Sequence, residues 1–194
     1  MTTEAMPNAH AEKNTATSGK LDNPMRIIRI EKVTINMGVG ETGENLKKAG
    51  EILKKITGVN PVQTKCKVKI PTWGIREGLP IGVKVTLRKQ KAMDFLKLCL
   101  QARENTITKR NFDKNGNLGF GIKEYIDLPG TKYDPKMGIR GFDVLVTLER
   151  PGFRIKRRRL RPGTIGKKHR LTRDDAMTFI HKNFGTNIVE KLQN

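Results

Sequence analysis

The sequence has few of the residues that build metal centres and disulfide frameworks. Its 194 residues include 2 cysteines and 3 histidines, and no Cys or His pair has the spacing of a zinc site. Cys66 and Cys99 are predicted to be small buried hydrophobic residues in a reducing compartment. His169 lies in the most basic segment, where we interpret it as a surface contact rather than a general base. A metal site and a His-based catalytic group therefore have little support, and we expect no metal and no cofactor.

Long apolar runs are also absent. No stretch approaches the ~20 apolar residues that a helix needs to cross a bilayer, and the N-terminus lacks the apolar core of a signal peptide. We expect a cytoplasmic protein that has no membrane partner.

Acidic residues are scarce relative to basic ones. The chain has 19 Asp and Glu against 39 Lys and Arg, which gives a formal net charge of +20. This excess is far beyond what solubility requires, so it indicates a polyanionic partner. Nucleic-acid phosphate is the commonest such partner, because Lys and Arg placed on phosphates release condensed counterions. A membrane surface that carries acidic lipids is the alternative.

The composition changes along the chain and predicts its organisation. Residues 1–24 are rich in Thr, Ala, Asn and Lys and have no apolar periodicity, so we expect a disordered tail. Residues 25–190 are predicted to form a single RNA-binding domain, which includes a basic extension at 150–173. Residues 191–194 form the C-terminal end.

Apolar periodicities predict an α+β fold, with helices packed on one face of an antiparallel sheet and a basic opposite face. The closing helix has a capping-box signal, because Asp175 follows Thr172 by three residues. Strands are predicted at 32–37, 61–70, 81–88, 118–125 and 141–149, and helices at 44–57, 90–102 and 172–185.

The first three predicted strands alternate between an apolar and a basic or hydroxyl-bearing face. In the second strand, the alternation predicts Val62 and Thr64 on the apolar side and Gln63 on the basic side. The outer face of any antiparallel sheet is polar, but such faces usually mix charges, and here no acid occurs. Because the face also lacks aromatic side chains for base stacking, it suits the phosphates and 2′-hydroxyls of a folded RNA. Its predicted polar members are Lys32, Thr34, Asn36, Gln63, Lys65, Lys67, Lys69, Lys84, Thr86 and Arg88.

A glycine motif, Gly38-Val-Gly-Glu-Thr-Gly43, joins the first strand to the first helix. It matches the dinucleotide-binding G-x-G-x-x-G, which would place a pyrophosphate at the helix N-terminus. The acid that should follow about 20 residues later to bind the ribose is missing. Glu41 and Glu44 would also put negative charge at the phosphate. We therefore favour a tight turn, and a nucleotide-dependent enzyme stays as an alternative.

The segment from Arg150 to Arg173 contains eleven Lys or Arg residues and no acid. A charge run is usually a solvated surface, but the density of this one and its Gly and Pro content favour an extension that becomes ordered on RNA. Its candidate contacts are Arg154, Lys156, Arg157, Arg158, Arg159, Arg161, Lys167, Lys168, His169 and Arg170.

Several sequence blocks in order resemble the L5 family of large-subunit ribosomal proteins, which bind 5S ribosomal RNA. The resemblance runs from about residue 26 to residue 188, and two of its blocks are typical of the archaeal and eukaryotic branch. The blocks include Glu31-Lys-Val-Thr-Ile-Asn-Met-Gly-Val-Gly-Glu41, Gly74-Ile-Arg76, Pro80-Ile-Gly82, Gly138-Ile-Arg-Gly-Phe-Asp143, Arg150-Pro-Gly-Phe153 and Ile165-Gly-Lys-Lys-His-Arg170.

The resemblance implies a scaffold without catalysis that contacts RNA and other ribosomal proteins. Its implied partners are 5S rRNA, 23S-type rRNA, the transfer RNA of the peptidyl site, other large-subunit proteins, and a protein of the small-subunit head reached from residues 105–140. Together with the basic face, it gives a 5S rRNA set of Lys32, Thr34, Asn36, Gly38, Thr64, Lys65, Lys67, Lys69, Lys84, Thr86 and Arg88.

Trp73 lies in the loop that joins the second and third predicted strands. From the residues alone, a Trp buried over the core edge and an exposed Trp that contacts a partner are equally good interpretations. The resemblance favours the second, because it implies a transfer-RNA loop formed by Thr72, Trp73, Gly74, Ile75 and Arg76.

Overall fold

A computed structural model describes residues 23–190 of the chain, which packs as two compact units. The basic unit contains residues 23–29 together with 150–170, and the sheet unit contains residues 30–149 and 171–190. The predicted single domain stays a prediction. The predicted disordered tail, apart from Asn23 and Pro24, and the C-terminal end lie outside the described residues.

The sheet unit is built on one five-stranded sheet, in which the strand order is β2-β3-β1-β6-β5. The pairs β1–β3, β2–β3 and β5–β6 are antiparallel, whereas β4 and β7 form a separate parallel pair. The α+β class is therefore confirmed. The elements are β1 Arg29–Gly38, α1 Glu44–Thr57, β2 Val62–Lys65, β3 Pro80–Leu87, α2 Lys89–Ala102, β4 Thr106–Thr108, β5 Leu118–Ile122, β6 Phe142–Glu149, α3 Arg154–Arg157 in the basic unit, α4 Arg173–Phe184 and β7 Asn187–Val189.

The core lies between the sheet and the helices. Val33, Ile35 and Met37 of β1 are fully buried, as are alternate residues of β3 and β6. The apolar stripes of α1 and α2 bury Leu46 and Leu96 against them. Because strand side chains alternate, the intervening residues of β1 and β3 point away from the helices.

Two helices begin and end where the sequence predicts. α1 spans the predicted 44–57 and is ended by Gly58 with φ 65°, whose N–H donates to Lys54 O. α4 has the predicted capping box at Thr172 and ends at Gly185 with φ 63°. Glycine favours this left-handed conformation because it has no Cβ.

The prediction for the second strand was wrong in length and in face. β2 ends at Lys65, where the register with β3 shifts. Gln63 pairs with Val83 and so lies on the helix side, whereas Thr64 pairs with Gly82 on the opposite side. The alternation of apolar and polar residues gave the wrong face because β2 is an edge strand, in which apolar side chains need not be buried. Val62 is 60% exposed, and Val68, which follows the strand, is 66% exposed.

Three smaller predictions also differ from the structure. The strand predicted at 118–125 ends at Ile122, because Tyr125–Asp127 forms a 3-10 turn that buries Tyr125. The three-residue strands β4 and β7 were missed, since so few residues show no periodicity. Cys99 is buried as predicted, but Cys66 is only half-buried.

In the part of the chain that the structure covers, no helix is long and apolar enough to cross a bilayer.

Candidate nucleic-acid interface

The open face is the side of β1, β2 and β3 that points away from the helices. Directly opposed residues of an antiparallel ladder lie on the same face, so side chains form rows across these strands. Lys32 joins the face because it alternates with the buried Val33. The register places three rows there: Thr34 with Thr86, Asn36 with Lys84 and Val62, and Gly38 with Gly82 and Thr64.

The polar side chains of the open face are accessible and make no hydrogen bonds within the described part of the chain. Thr34, Asn36, Thr64, Lys84 and Thr86 are exposed or half-buried, and none has an intramolecular partner among residues 23–190. Hydroxyl, amide and ammonium groups together supply donors for phosphate and both donors and acceptors for ribose hydroxyls. This arrangement can bind a sugar-phosphate backbone.

Arg88 differs from the other predicted members of this face. Its guanidinium lies 3.8 Å from the carboxylate of Glu31, whose side chain is only 10% exposed. The Arg88 charge is therefore partly compensated within the protein. The sequence could not reveal this pair, because Glu31 and Arg88 are brought together only by the β1–β3 register.

The basic character of the sheet ends at β6. Asp143 and Leu145 of β6 are exposed and alternate with the buried Phe142 and Val144. On β5, Gly119 adds no side chain beside Leu145. The cations of this side of the sheet are thus confined to β1, β2 and β3, and β6 adds only the half-buried hydroxyl of Thr147 beside its acidic and apolar residues. This division was missed because the strand order cannot be deduced from one sequence.

Three further predicted contacts lie at or beyond the edge strand. Lys65, Lys67 and Lys69 are all exposed. Only Lys65 belongs to β2, and the other two lie in the segment between β2 and the bridge that joins Ile70 to Ile75. They form a cationic margin to the open face rather than one of its rows.

The Trp73 loop is closed by paired backbone bonds between Ile70 and Ile75, at 2.9 Å and 3.1 Å. Gly74 turns the chain with φ 66°. Thr72, Trp73 and Arg76 are exposed, which rules out a Trp73 that is buried over the core edge, and its contact with a partner stays a prediction. Ile75 is buried, which excludes its side chain from the predicted transfer-RNA surface.

The basic unit is held together by its own cationic side chains. The buried Arg150 donates from Nη1 to His169 O at 3.4 Å and Arg170 O at 3.3 Å. His169 Nε2 lies 2.9 Å from Pro151 O, and its ring packs edge-on against Phe153 at 5.9 Å. His169 is half-buried and has a packing role that the sequence did not predict.

The other candidate cations at 150–170, apart from the exposed Arg157, fall into two groups. Arg158 Nε donates to Arg161 O at 2.6 Å, and Arg170 Nε donates to Ile165 O at 3.1 Å. These two side chains hold the local backbone in place. The exposed side chains for which the described residues provide no partner are Arg154, Lys156, Arg159, Arg161, Lys167 and Lys168.

The glycine motif extends the backbone pairing of β1 with β3 and then turns the chain into α1. The N–H groups of Val39 and Gly40 both donate to Ile81 O, at 3.0 Å and 2.9 Å. Gly40 and Gly43 have φ of 79° and 100°, which glycine adopts readily. Glu41 also accepts a bond from Asn45 at 3.0 Å. A pyrophosphate site needs free N–H groups at this turn, so the geometry favours the tight-turn interpretation.

A cationic, hydroxyl-bearing sheet face on an α+β scaffold is typical of a protein that binds a structured polyanion. Within the part of the chain that the structure describes, no group of three or more His, Cys, Asp or Glu side chains could hold a metal ion. The fold and the open face together are typical of a nucleic-acid-binding protein.

Comparison with known proteins gives the family. A family model described as ribosomal protein L5 matches residues 23–76, and a second model, which describes the C-terminus of the same ribosomal family, matches residues 80–184. The large ribosomal subunit protein uL5 of Sulfurisphaera tokodaii is 52% identical over 87% of this chain and 96% of that protein. The proteins of the same name from Nanoarchaeum equitans and Methanococcus maripaludis are 51% and 44% identical, each over 87% of this chain and over 100% and 94% of their own lengths.

The chain belongs to the ribosomal protein L5 family, as its sequence blocks indicated. It is a protein of the large ribosomal subunit and not an enzyme. Ribosomes are cytoplasmic particles, so membership of the family also gives the location that the sequence predicted.

Proposed function

We propose that the protein binds 5S rRNA through the open face of its sheet. The observation that carries this proposal is the set of polar side chains that β1, β2 and β3 place on the open face, none of which has an intramolecular partner among the described residues. They are Thr34, Asn36, Thr64, Lys84 and Thr86. Rigid strands hold these groups at fixed spacing, so binding requires little ordering of the protein.

The chemistry of the face suits backbone recognition. Lys32 and Lys84 place point charges against phosphates, while the hydroxyls of Thr34, Thr64 and Thr86 exchange hydrogen bonds with ribose 2′-hydroxyls. Such contacts fix the position of a folded RNA and distinguish its shape. They require no unstacked bases.

The Lys84→Ala variant tests the proposal. Loss of one phosphate contact should weaken 5S rRNA binding about tenfold and lower the slope of log affinity against log salt by about one. Lys91→Ala removes the same charge from the exposed surface of α2, which is not part of the open face, and should cost much less. Equal losses in the two variants would contradict binding by the open face.

We further propose that the basic unit binds 23S-type rRNA. Arg154, Lys156 and Lys167 are exposed cations on a segment whose backbone is held by Arg150 and Arg158. This gives a chain with two cationic surfaces and a means of joining 5S rRNA to the rest of the subunit. Crosslinking of the assembled subunit should join the basic unit to 23S-type rRNA, and crosslinks to 5S rRNA alone would contradict the proposal.

We also propose that the Trp73 loop contacts the transfer RNA of the peptidyl site. The loop is closed at Ile70 and Ile75 and presents an indole that is 73% exposed, beside Arg76. An aromatic ring and a guanidinium can pack on riboses or bases of RNA. Trp73→Ala should weaken transfer-RNA binding to the assembled ribosome without releasing the protein from the subunit.

Within residues 105–140, we propose the segment 129–140 as the contact with the small-subunit head. Asp134 holds this segment, since its N–H donates to Tyr125 Oη at 3.2 Å and its carboxylate lies 3.7 Å from Lys55 Nζ. Tyr133 and Ile139 stay exposed on it. Contacts with other large-subunit proteins are proposed for the remaining surface of the sheet unit.

Subunit joining tests this contact. Large subunits that carry Tyr133→Ala with Ile139→Ala should associate less completely with small subunits in a sucrose gradient. Subunits that carry Leu98→Ala, which truncates an exposed apolar residue on α2, provide the control. Full association of the double variant would contradict the proposal.

A further inference from the structure

We propose that Gly82 is a positioning residue that fixes the Thr64 hydroxyl on the open face. This inference rests on the proposed binding of 5S rRNA, because it concerns how one hydroxyl of that binding face is held. Gly82 belongs to β3 and lies between Thr64 of β2 and Gly38 of β1 in one row of the sheet.

Thr64 occupies the space that a side chain at position 82 would need. A Cβ built on Gly82 would lie 2.8 Å from Thr64 Oγ1 and 3.0 Å from Met37 O. Gly82 is buried although it belongs to the open face, whereas Gly38 in the same row is exposed. The Thr64 hydroxyl therefore leans from the edge strand β2 over the neighbouring strand β3.

The backbone dihedral angles give no reason for glycine at this position, and the close approach of Met37 O is the one backbone contact that a side chain here would meet besides Thr64. Gly82 is not among the glycines with positive φ, so its conformation is available to any residue. What glycine supplies here is room. The Thr64 hydroxyl has no hydrogen-bond partner among the described residues. Its position is therefore set by the packing of the sheet around it rather than by a hydrogen bond.

The position of this hydroxyl matters for binding. The neighbouring row contains Asn36 and Lys84, so a hydroxyl that leans inward joins an amide and an ammonium on the same surface. A methyl group at position 82 would turn Thr64 away from them. The group served by this arrangement is a ribose hydroxyl or phosphate of a structured RNA backbone.

A double-mutant cycle on the full chain with 5S rRNA tests the inference. Gly82→Ala and Thr64→Ala should each weaken binding roughly five- to tenfold, the value of one hydrogen bond. The double variant should bind only slightly more weakly than Thr64→Ala alone, because the methyl group then meets the Met37 carbonyl oxygen but no hydroxyl.

Gly121→Ala is the matched control. It adds the same methyl group to β5, where the nearest atom would be Asp143 Oδ1 at an ordinary 3.5 Å, and it should leave 5S rRNA affinity unchanged. If Gly82→Ala alone does not fold, a folded double variant with the affinity of Thr64→Ala supports the steric link.

Two results would overturn the inference: wild-type affinity in Gly82→Ala, or an equal loss from Gly82→Ala with Thr64 present and absent. Either can occur while the wild-type protein still prefers 5S rRNA to an unrelated RNA of equal length. Absence of that preference in the wild-type protein would be a different result, because it would contradict the proposed binding of 5S rRNA itself.

Discussion

Trp73 and Ile75 are two residues apart in one loop, yet the first is 73% exposed and the second only 7% exposed. Gly74, with φ 66°, lies between them and reverses the chain. The loop thus anchors one apolar side chain in the core and presents the other to solvent. The buried Ile75 and the backbone pair it forms with Ile70 hold the loop backbone from which the indole extends.

Substitution of these two residues should separate stability from binding. Ile75→Ala should lower the free energy of unfolding by about 2–4 kcal/mol, because it leaves a cavity. Trp73→Ala should change it by less than about 0.5 kcal/mol, because an exposed residue loses little packing. Denaturant unfolding of both variants measures this, and a large destabilisation by Trp73→Ala would show that the indole is part of the core.

The α4 capping box predicts a second pair of results. Thr172 Oγ1 accepts from Asp175 N at 3.3 Å, and Asp175 Oδ2 accepts from Thr172 N at 3.2 Å. Thr172→Ala should therefore cost about 1 kcal/mol of stability. Thr178→Ala, inside the same helix, removes only a bond to the i−4 carbonyl of Asp174 and should be close to neutral. Equal effects would contradict a capping role.

The two cysteines should differ in reactivity. Burial raises the pKa of the Cys99 thiol, so it stays protonated at mildly alkaline pH, and the thiolate is the reactive form. Cys66 is half-buried. A thiol reagent at pH 8 should modify Cys66 in the native protein and both cysteines after denaturation. Rapid native modification of Cys99 would mean that the core opens readily.

The basic unit should contribute to affinity through phosphate contacts. Arg154→Ala with Lys167→Ala removes two exposed cations and should lower the salt slope for duplex RNA by about one to two. The double variant Lys91→Ala with Lys97→Ala provides an equal charge change on α2. A slope that falls equally in both variants would indicate a net-charge effect rather than a binding surface.

The sequence predicted the elements in which burial and local signals agree. α1 has an apolar stripe and a terminal Gly58, and α4 has Thr172 and Asp175 at its start. Such signals lie within a few residues of one another, so one sequence is enough to recognise them.

The edge strand and the basic unit could not be predicted in the same way. Gln63 and Thr64 exchange faces relative to the prediction because the β2–β3 register, and not their polarity, decides the face. The pairs Arg88–Glu31 and Arg150–His169 join residues that are far apart in the chain. Their effect on the candidate interface becomes visible only in three dimensions.

The measurement that most directly tests the central claim compares two RNAs. Binding of the wild-type protein to 5S rRNA and to an unrelated duplex RNA of equal length is measured at several salt concentrations. We expect a preference for 5S rRNA of more than about 100-fold that persists at physiological salt, because counterion release alone favours no particular RNA. Equal affinity at every salt concentration would contradict recognition of 5S rRNA and leave only a nonspecific cationic surface.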